Sequence, residues 1–276
     1  MTGRNFFSLL ESKWDEKKFL CVGLDPVLGA MPEEVRRESV RETYMRFNRA
    51  IIDATKDIVC AYKPNIAFYE AHGDEGMEAL RETISYIQGL ALDIPVILDA
   101  KRADIGNTSA LYAEAVFDYL GADAVTVQPY LGSDAIAPFL ERKEKGVIVL
   151  CRTSNPGSGE IQDVLVEGVP LYQHVARLVT EKWNRNDNCM VVVGATYPEE
   201  LRMVREIVGT MPILVPGIGT QGGDIEQTVN AGKNARSRGL IISVSRGVIF
   251  ASEGADFAAA ARLKAQDLHD TISKLI

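Results

Sequence analysis

An apolar run at residues 95–99 closes with Leu98-Asp99-Ala100-Lys101-Arg102-Ala103-Asp104, in which carboxylates and cations alternate over a few positions. In an extended chain residues two apart share a face, so Asp99 and Lys101 project together. Asp104 falls at the following turn, placed to begin the helix that Thr108 continues. Asp25 and Lys63 each follow an earlier apolar run. If those runs are neighbouring strands, four or five ionised groups converge, and burying them unpaired would cost several kcal/mol per ion. They must therefore alternate in sign, each ammonium between carboxylates that keep it protonated. Such an array can act electrostatically on a bound molecule, or it can be a salt-bridge network that only stabilises the fold; the second is costly without a task. Schiff-base chemistry at Lys101 or Lys63 needs a neutral amine, and the flanking carboxylates oppose that.

A second group lies near the other end of the chain. Val215-Pro216-Gly217-Ile218-Gly219-Thr220-Gln221-Gly222-Gly223-Asp224 follows one apolar run and Val244-Ser245-Arg246-Gly247 follows the next. Glycines let backbone N–H groups approach an anion closely, and Arg246 supplies a fork of charged donors, so the pair reads as a phosphate cradle rather than two plain tight turns.

The elements that must position these groups are legible as β-rich runs at 19–25, 58–63, 95–99, 124–128, 147–151, 190–194, 212–215 and 240–245. The runs are nearly continuous in Val, Ile, Leu, Ala and Cys, as parallel strands buried on both faces require. Helix-like stretches at 33–56, 76–90, 108–120, 171–184, 199–208, 224–231 and 256–275 alternate with them. Eight β/α alternations predict an α/β fold of the (β/α)8 barrel type, with residues 1–276 as one catalytic domain. A doubly wound sheet would carry a Gly-rich fingerprint after its first strand, where this chain has Gly23-Leu24-Asp25-Pro26. The barrel places chemistry at the C-terminal ends of its strands and phosphate at loops seven and eight, where the unusual residues fall. One connection, about 153–169, is long enough to serve as a lid over a ligand, the alternative being a solvated insertion.

Composition narrows the function. With 46% hydrophobic residues the chain can bury a large core, and a net charge of −8 argues against a general nucleic-acid-binding surface while leaving room for a small anionic ligand. The N-terminus is charged too soon for a signal peptide and no apolar run approaches a membrane span, so the expected location is the cytoplasm. Cys21, Cys60, Cys151 and Cys189 are spread singly in apolar runs and are expected to be buried, inert thiols, while His72, His174 and His269 are expected at the surface. No metal site is expected from any of them.

Taken in order, Asp25, Lys63, Asp99-x-Lys101-x-x-Asp104, Pro216-Gly217-Ile218-Gly219 and Arg246 resemble the orotidine 5′-monophosphate decarboxylase family, from about residue 19 to residue 250. Tyr62-Lys63-Pro64-Asn65, the 99–108 segment and Val193-Gly194-Ala195-Thr196 resemble its longer bacterial and archaeal subgroup, with Ala103 standing where many members have glycine. The resemblance implies a homodimeric enzyme that converts orotidine 5′-monophosphate to uridine 5′-monophosphate without metal or cofactor, the last step of de novo UMP synthesis. It further implies that Lys101 protonates C6 and stabilises the carbanion, that Asp99 faces the substrate carboxylate, and that Asp25 and Lys63 hold ribose hydroxyls. Asp104 and Thr108 would reach the neighbouring subunit's site. Ser154 would read the pyrimidine edge, Gln221 would span base and phosphate, and Arg246 with the segment around Pro216, Gly217, Gly219 and Gly247 would grip the phosphate.

A magnesium-dependent sugar-phosphate decarboxylase or aldolase of the same superfamily shares the D-x-K-x-x-D pattern. Those relatives place a metal-binding carboxylate where this chain has Lys63, and an ammonium has no lone pair to offer a cation. A non-catalytic nucleotide-binding protein would keep the phosphate loops but has no need of the charged array.

Overall fold

A computed structural model describes residues 4–90, 93–218 and 224–276. Eight parallel strands, β1 (Leu20–Leu24), β2 (Ala61–Pro64), β3 (Ile97–Arg102), β4 (Ala124–Val127), β5 (Gly146–Arg152), β8 (Cys189–Val193), β9 (Ile213–Pro216) and β10 (Leu240–Val244), form one sheet. The two remaining strands, β6 (Leu165–Val166) and β7 (Val169–Pro170), make a small antiparallel hairpin in the 153–169 connection. Spatial order in the large sheet follows chain order, and β10 pairs with β1. Parallel bridges Tyr62↔Val96 and Asn65↔Asp99 join β2 to β3, closing the barrel. All eight strands fall on the apolar runs predicted for them.

The helices that cover the barrel are α1 (Phe6–Asp15), α2 (Val40–Thr55), α3 (Ala67–Glu70), α4 (Gly73–Leu90), α5 (Gly106–Glu114) and α6 (Ser133–Leu140), followed by α7 (Gly159–Gln162), α8 (Leu171–Leu178), α9 (Pro198–Val208), α10 (Ile225–Gly232), α11 (Arg246–Ile249) and α12 (Phe257–Leu275). Five of them, α1, α3, α6, α7 and α11, have no counterpart among the expected stretches, and α2 is shorter than expected. The helix expected over 33–56 begins only at Val40, because Ser39 caps it by accepting from the Glu42 amide at 3.1 Å, and Glu33–Val35 is a separate 3-10 turn. Helix α6 contains Pro138, which weakens its periodic signal, and α1 has too few residues before the first strand to stand out.

Helix α1 explains how the bottom of the barrel is sealed. Phe6, Leu10 and Trp14 are fully or nearly fully buried, and a side chain at Gly146 would collide with the Phe6 ring, so glycine is what lets α1 lie against the start of β5. Arg4 reaches Asp123 at 2.9 Å and the Ile94 carbonyl at 2.7 Å, Lys13 pairs with Asp93, and the Trp14 indole donates to the Leu240 carbonyl at 3.0 Å. Every one of these partners lies at or just before the N-terminal end of a strand, leaving the opposite rim for chemistry.

On that opposite rim a buried polar chain orients the end of β1. Asn48 of α2 donates to Tyr69 Oη and Thr83 Oγ1, both at 3.0 Å, and Tyr69 donates at 3.0 Å to the carbonyl of Leu24, the residue before Asp25. All four cysteines are free and buried, and burial pushes the thiols of Cys21, Cys151 and Cys189 up to about 12, consistent with inert packing residues. Of the histidines only His174 is exposed; His72, in the turn between α3 and α4, packs edge-on against Tyr44, and His269 is half-buried on α12. Among the described residues no helix is long and apolar enough to cross a membrane.

Candidate active site

Asp99 is the hub of the rim. Its Oδ2 lies 3.0 Å from Lys63 Nζ and its Oδ1 lies 2.6 Å from Lys101 Nζ, so one carboxylate bridges two ammonium groups. Thr126 Oγ1 donates to Oδ1 at 2.9 Å and Asn65 Nδ2 donates to Oδ2 at 3.3 Å. Asp25 accepts from the Asn65 amide at 3.2 Å, and its charge acts on buried Lys63 from the other side. Burial alone would raise the Asp99 carboxyl, but the charges of Lys63 and Lys101 outweigh it and hold the group well below the usual carboxylate range. Burial alone would likewise lower Lys63, and the carboxylates of Asp99 and Asp25 instead hold it above the usual lysine range. The alternating order of charges is thus present from Asp25 through Lys63 and Asp99 to Lys101.

Local backbone geometry delivers Lys101. Residues 100 and 101 bulge out of register between the Leu98 and Arg102 pairings with β4, and Lys101 has φ +48°, a strained conformation for a residue with a side chain. Thr126 Oγ1 accepts from both the Ala100 and Lys101 amides at 3.0 Å, which satisfies the N–H groups that the bulge takes out of the ladder. The bulge turns Lys101 so that its ammonium meets the Asp99 carboxylate.

Two hollows adjoin this hub. One of about 420 Å³ is lined by Lys101, Thr126, Ser154 and Gln162 among others, and one of about 170 Å³ by Asp25, Gly217, Ser245 and Arg246. Lys63, Asp99 and Pro216 line both, so the charged array sits between a roomier compartment and one edged by the strand-nine and strand-ten loops. Gly217 has φ +102°, which only glycine adopts without strain, and Gly247 follows Arg246 in the first turn of α11. A side chain at Gly23 would fall 2.6 Å from Ser245 Cβ, so glycine there lets the end of β1 approach the residue before Arg246. Gly219 and Gln221 lie outside the described residues.

Asp104 and Thr108 do not join the array within one chain. Neither lines either hollow, and Thr108 is exposed on α5. Asp104 does not cap the helix as expected: its carboxylate accepts from the next amide, Ile105, at 2.7 Å, and the N-cap position falls to Ile105. Strand β3 runs on to Arg102, past the end expected at residue 99, and α5 starts at Gly106, two residues before the expected helix. Sequence reasoning had given no role to Asn65, Thr126 or Gln162. For Thr126 the signal was a lone hydroxyl near the C-terminal end of the Ala124-Val125-Thr126-Val127 strand; for Gln162 there was none.

Comparison with known proteins places this arrangement. Residues 18–262 match the model of the orotidine 5′-phosphate decarboxylase / HUMPS family. The chain belongs to that family. It is 50% identical over 270 residues to the orotidine 5′-phosphate decarboxylase of Cellvibrio japonicus, covering 98% of each chain. Among solved structures it is similar to OMP decarboxylase of Leishmania donovani, with TM-score 0.83, 38% identity and coverage of 98% of this chain and 99% of that one. It is also similar to UMP synthase of Leishmania donovani, with TM-score 0.88 and 39% identity, where it spans 99% of its own length but 56% of the other chain.

Proposed function

We infer that the chain is a decarboxylase that converts orotidine 5′-monophosphate to uridine 5′-monophosphate and carbon dioxide, the last step of de novo UMP synthesis, with residues 1–276 acting as one catalytic barrel. Family membership and the names of its relatives support the activity. The single observation that carries the mechanism is the Asp99 carboxylate held between Lys63 at 3.0 Å and Lys101 at 2.6 Å.

In this reading the substrate's base occupies the larger hollow and its phosphate the smaller, with ribose hydroxyls on Asp25 and Lys63. The C6–carboxylate bond breaks and its electron pair stays on C6, where the adjacent ammonium of Lys101 stabilises it. Lys101 then gives its proton to C6, carbon dioxide departs, and the neutral amine recovers a proton from water. Asp99 keeps Lys101 oriented until that transfer, and faces the substrate carboxylate. Ser154 reads the pyrimidine edge, and Arg246 with backbone amides around Gly217 and Gly247 holds the phosphate, completed by Gly219 and Gln221. Binding energy from that remote dianion is then available to organise the charges, so truncating the phosphate lowers turnover as well as affinity.

The sugar-phosphate alternative is disfavoured by the same contact. Lys63 presents N–H donors between Asp25 and Asp99, and an ammonium in that place cannot ligate a divalent cation.

The reading also takes the active unit as a cytoplasmic homodimer in which Asp104 and Thr108 complete the partner's site. Ile105, Leu111 and Tyr130 are 63%, 64% and 83% exposed around these residues, an apolar rim suited to burial against a second copy.

The test is decarboxylation of orotidine 5′-monophosphate by chelator-treated protein. Full activity is expected, and activity lost with chelator but restored by magnesium would overturn the metal-free reading. Lys101→Ala should abolish turnover with the fold intact; activity within about tenfold of the parent would show that the proton donor is misassigned. Mixing Lys101→Ala with Asp104→Ala chains should restore part of the activity through the one intact hybrid site, and no recovery despite demonstrated subunit exchange would argue against a shared site.

A further inference from the structure

Arg152, the last residue of β5, has a buried guanidinium whose hydrogen bonds all go to one segment. The residue is 3% exposed. Nη1 donates to Ser158 Oγ and, at 3.2 Å, to Gln162 Oε1, while Nη2 meets Asp163 Oδ2 at 3.2 Å. The group stacks 4.0 Å above the Tyr197 ring, and its Nε has no hydrogen-bond partner among the described residues. Asp163, the one carboxylate in an ion pair with it among the described residues, is half-exposed.

Stability does not call for this arrangement. A cation buried against a half-exposed carboxylate gains little attraction for the hydration it gives up, and an apolar side chain of similar size would fill the space. What the guanidinium does supply is direction. Gln162 Oε1, held by the guanidinium, also accepts from the Thr153 amide at 2.9 Å, and Gln162 Nε2 donates to Thr153 Oγ1 at 2.8 Å. Thr153, Ser154 and Gln162 all line the larger hollow, as do Lys101 and Thr126. Gly194 packs against the same segment: its amide donates to the Arg152 carbonyl at 2.9 Å, and a side chain there would strike Ser154.

We propose that Arg152 is a positioning residue that acts through Gln162 to set the orientation of Thr153 and Ser154 over the larger hollow, and so governs how the enzyme grips the pyrimidine half of its nucleotide. This rests on the decarboxylase reading for the identity of the ligand; the clamp itself rests on the contacts. Arg152 touches no substrate in this scheme. Ser158 ends the turn before α7, Gln162 is the last residue of α7 and Asp163 its C-cap, so one side chain ties down both ends of this short helix.

The experiment compares Arg152→Met, Arg152→Lys and Gln162→Leu with the parent in full-length protein. KM and kcat for orotidine 5′-monophosphate, Kd for uridine 5′-monophosphate, and inhibition by inorganic phosphate are measured together with amide hydrogen exchange of residues 153–163. Arg152→Met should raise KM and Kd about tenfold or more, in line with loss of a charge-assisted hydrogen bond, and leave phosphate inhibition within about twofold, because phosphate alone does not touch this wall. Exchange over 153–163 should speed up with the rest of the barrel unchanged. Gln162→Leu should reproduce the effect, the double variant should be no worse than either single, and Arg152→Lys should recover part of it. Phosphate inhibition that shifts in parallel with KM, additive effects of the two substitutions, or unchanged exchange over 153–163 would overturn the proposal. A parent that binds uridine 5′-monophosphate but fails to turn over the substrate would instead overturn the decarboxylase reading, with the clamp still judged by Kd and exchange. If Arg152→Met fails to fold, Gln162→Leu decides by the same readings.

Discussion

Replacing Lys63 by methionine isolates what the charged array costs and contributes. Lys63 and Asp99 expose only 7% and 13% of their side chains, and their contact is 3.0 Å. Removing one partner of a buried pair typically costs about 3–5 kcal/mol, because the other charge is left without its counterion. Asp99 keeps Lys101 at 2.6 Å, Thr126 Oγ1 at 2.9 Å and Asn65 Nδ2 at 3.3 Å, so the loss belongs at the lower end, about 3 kcal/mol. For a chain of this size that corresponds to a fall of roughly 6 °C in thermal midpoint. Asp99→Asn alone should cost a similar amount by stranding Lys63. The double variant Lys63→Met with Asp99→Asn strands neither of these two charges, although Asp25 loses Lys63 and Lys101 loses Asp99 in it, and should lose clearly less than the sum of the two singles. Thermal melts of the four proteins at neutral pH give the cycle directly. A double variant as unstable as the sum of the two singles, within about 0.5 kcal/mol, would show that the two groups do not interact and that their burial has another cause.

The same pair sets a pH signature. Asp99, held below its unfolded value of 3.8, contributes stability that is present above that value and is lost as pH falls through the folded one. Lys63, held above its unfolded 10.5, contributes stability that is complete below 10.5 and is lost as pH rises beyond it. The difference in melting point between parent and double variant should therefore stay flat from about pH 5 to about pH 9, and a slope across that window would contradict the assignment. At the other end of the barrel, Arg205 donates to the carbonyls of Gly209, Met211, Gly232 and Gly239 at 2.5–2.8 Å, and burial pushes it down to about 10. Arg205→Met strands those acceptors, including the C-terminal ends of α9 and α10, and should cost about 3 kcal/mol while leaving kcat within about twofold. Unchanged melting would refute the first part and a collapsed kcat in folded protein the second. Gly194→Ala puts a Cβ 2.7 Å from Ser154 Cβ and 3.0 Å from its backbone, so it should displace Ser154 and raise KM about tenfold. A KM within twofold of the parent would mean that Ser154 does not contact the ligand.

Much of this protein was legible before any coordinates. Eight runs of Val, Ile, Leu and Ala with no in/out alternation require strands buried on both faces, and their spacing leaves room for one helix between most pairs. A barrel built that way has one chemically active rim, so Asp25, Lys63 and Asp99, each at a strand end, had to meet. Residue type carried that far because charge and apolarity are properties of single side chains. Tertiary structure alone decided the rest. Lys101 reaches Asp99 through a bulge in β3 whose amides are taken up by Thr126 from β4, a partnership no one-dimensional spacing encodes. The Asp104 carboxylate turns to the Ile105 amide instead of the array, and Arg152 becomes a clamp because the connection after it folds back onto its guanidinium instead of staying in solvent. The physical reason is common to Lys101 and Arg152: hydrogen bonds left over by one segment are satisfied by whichever segment packs against it, and only the packed chain determines which one that is.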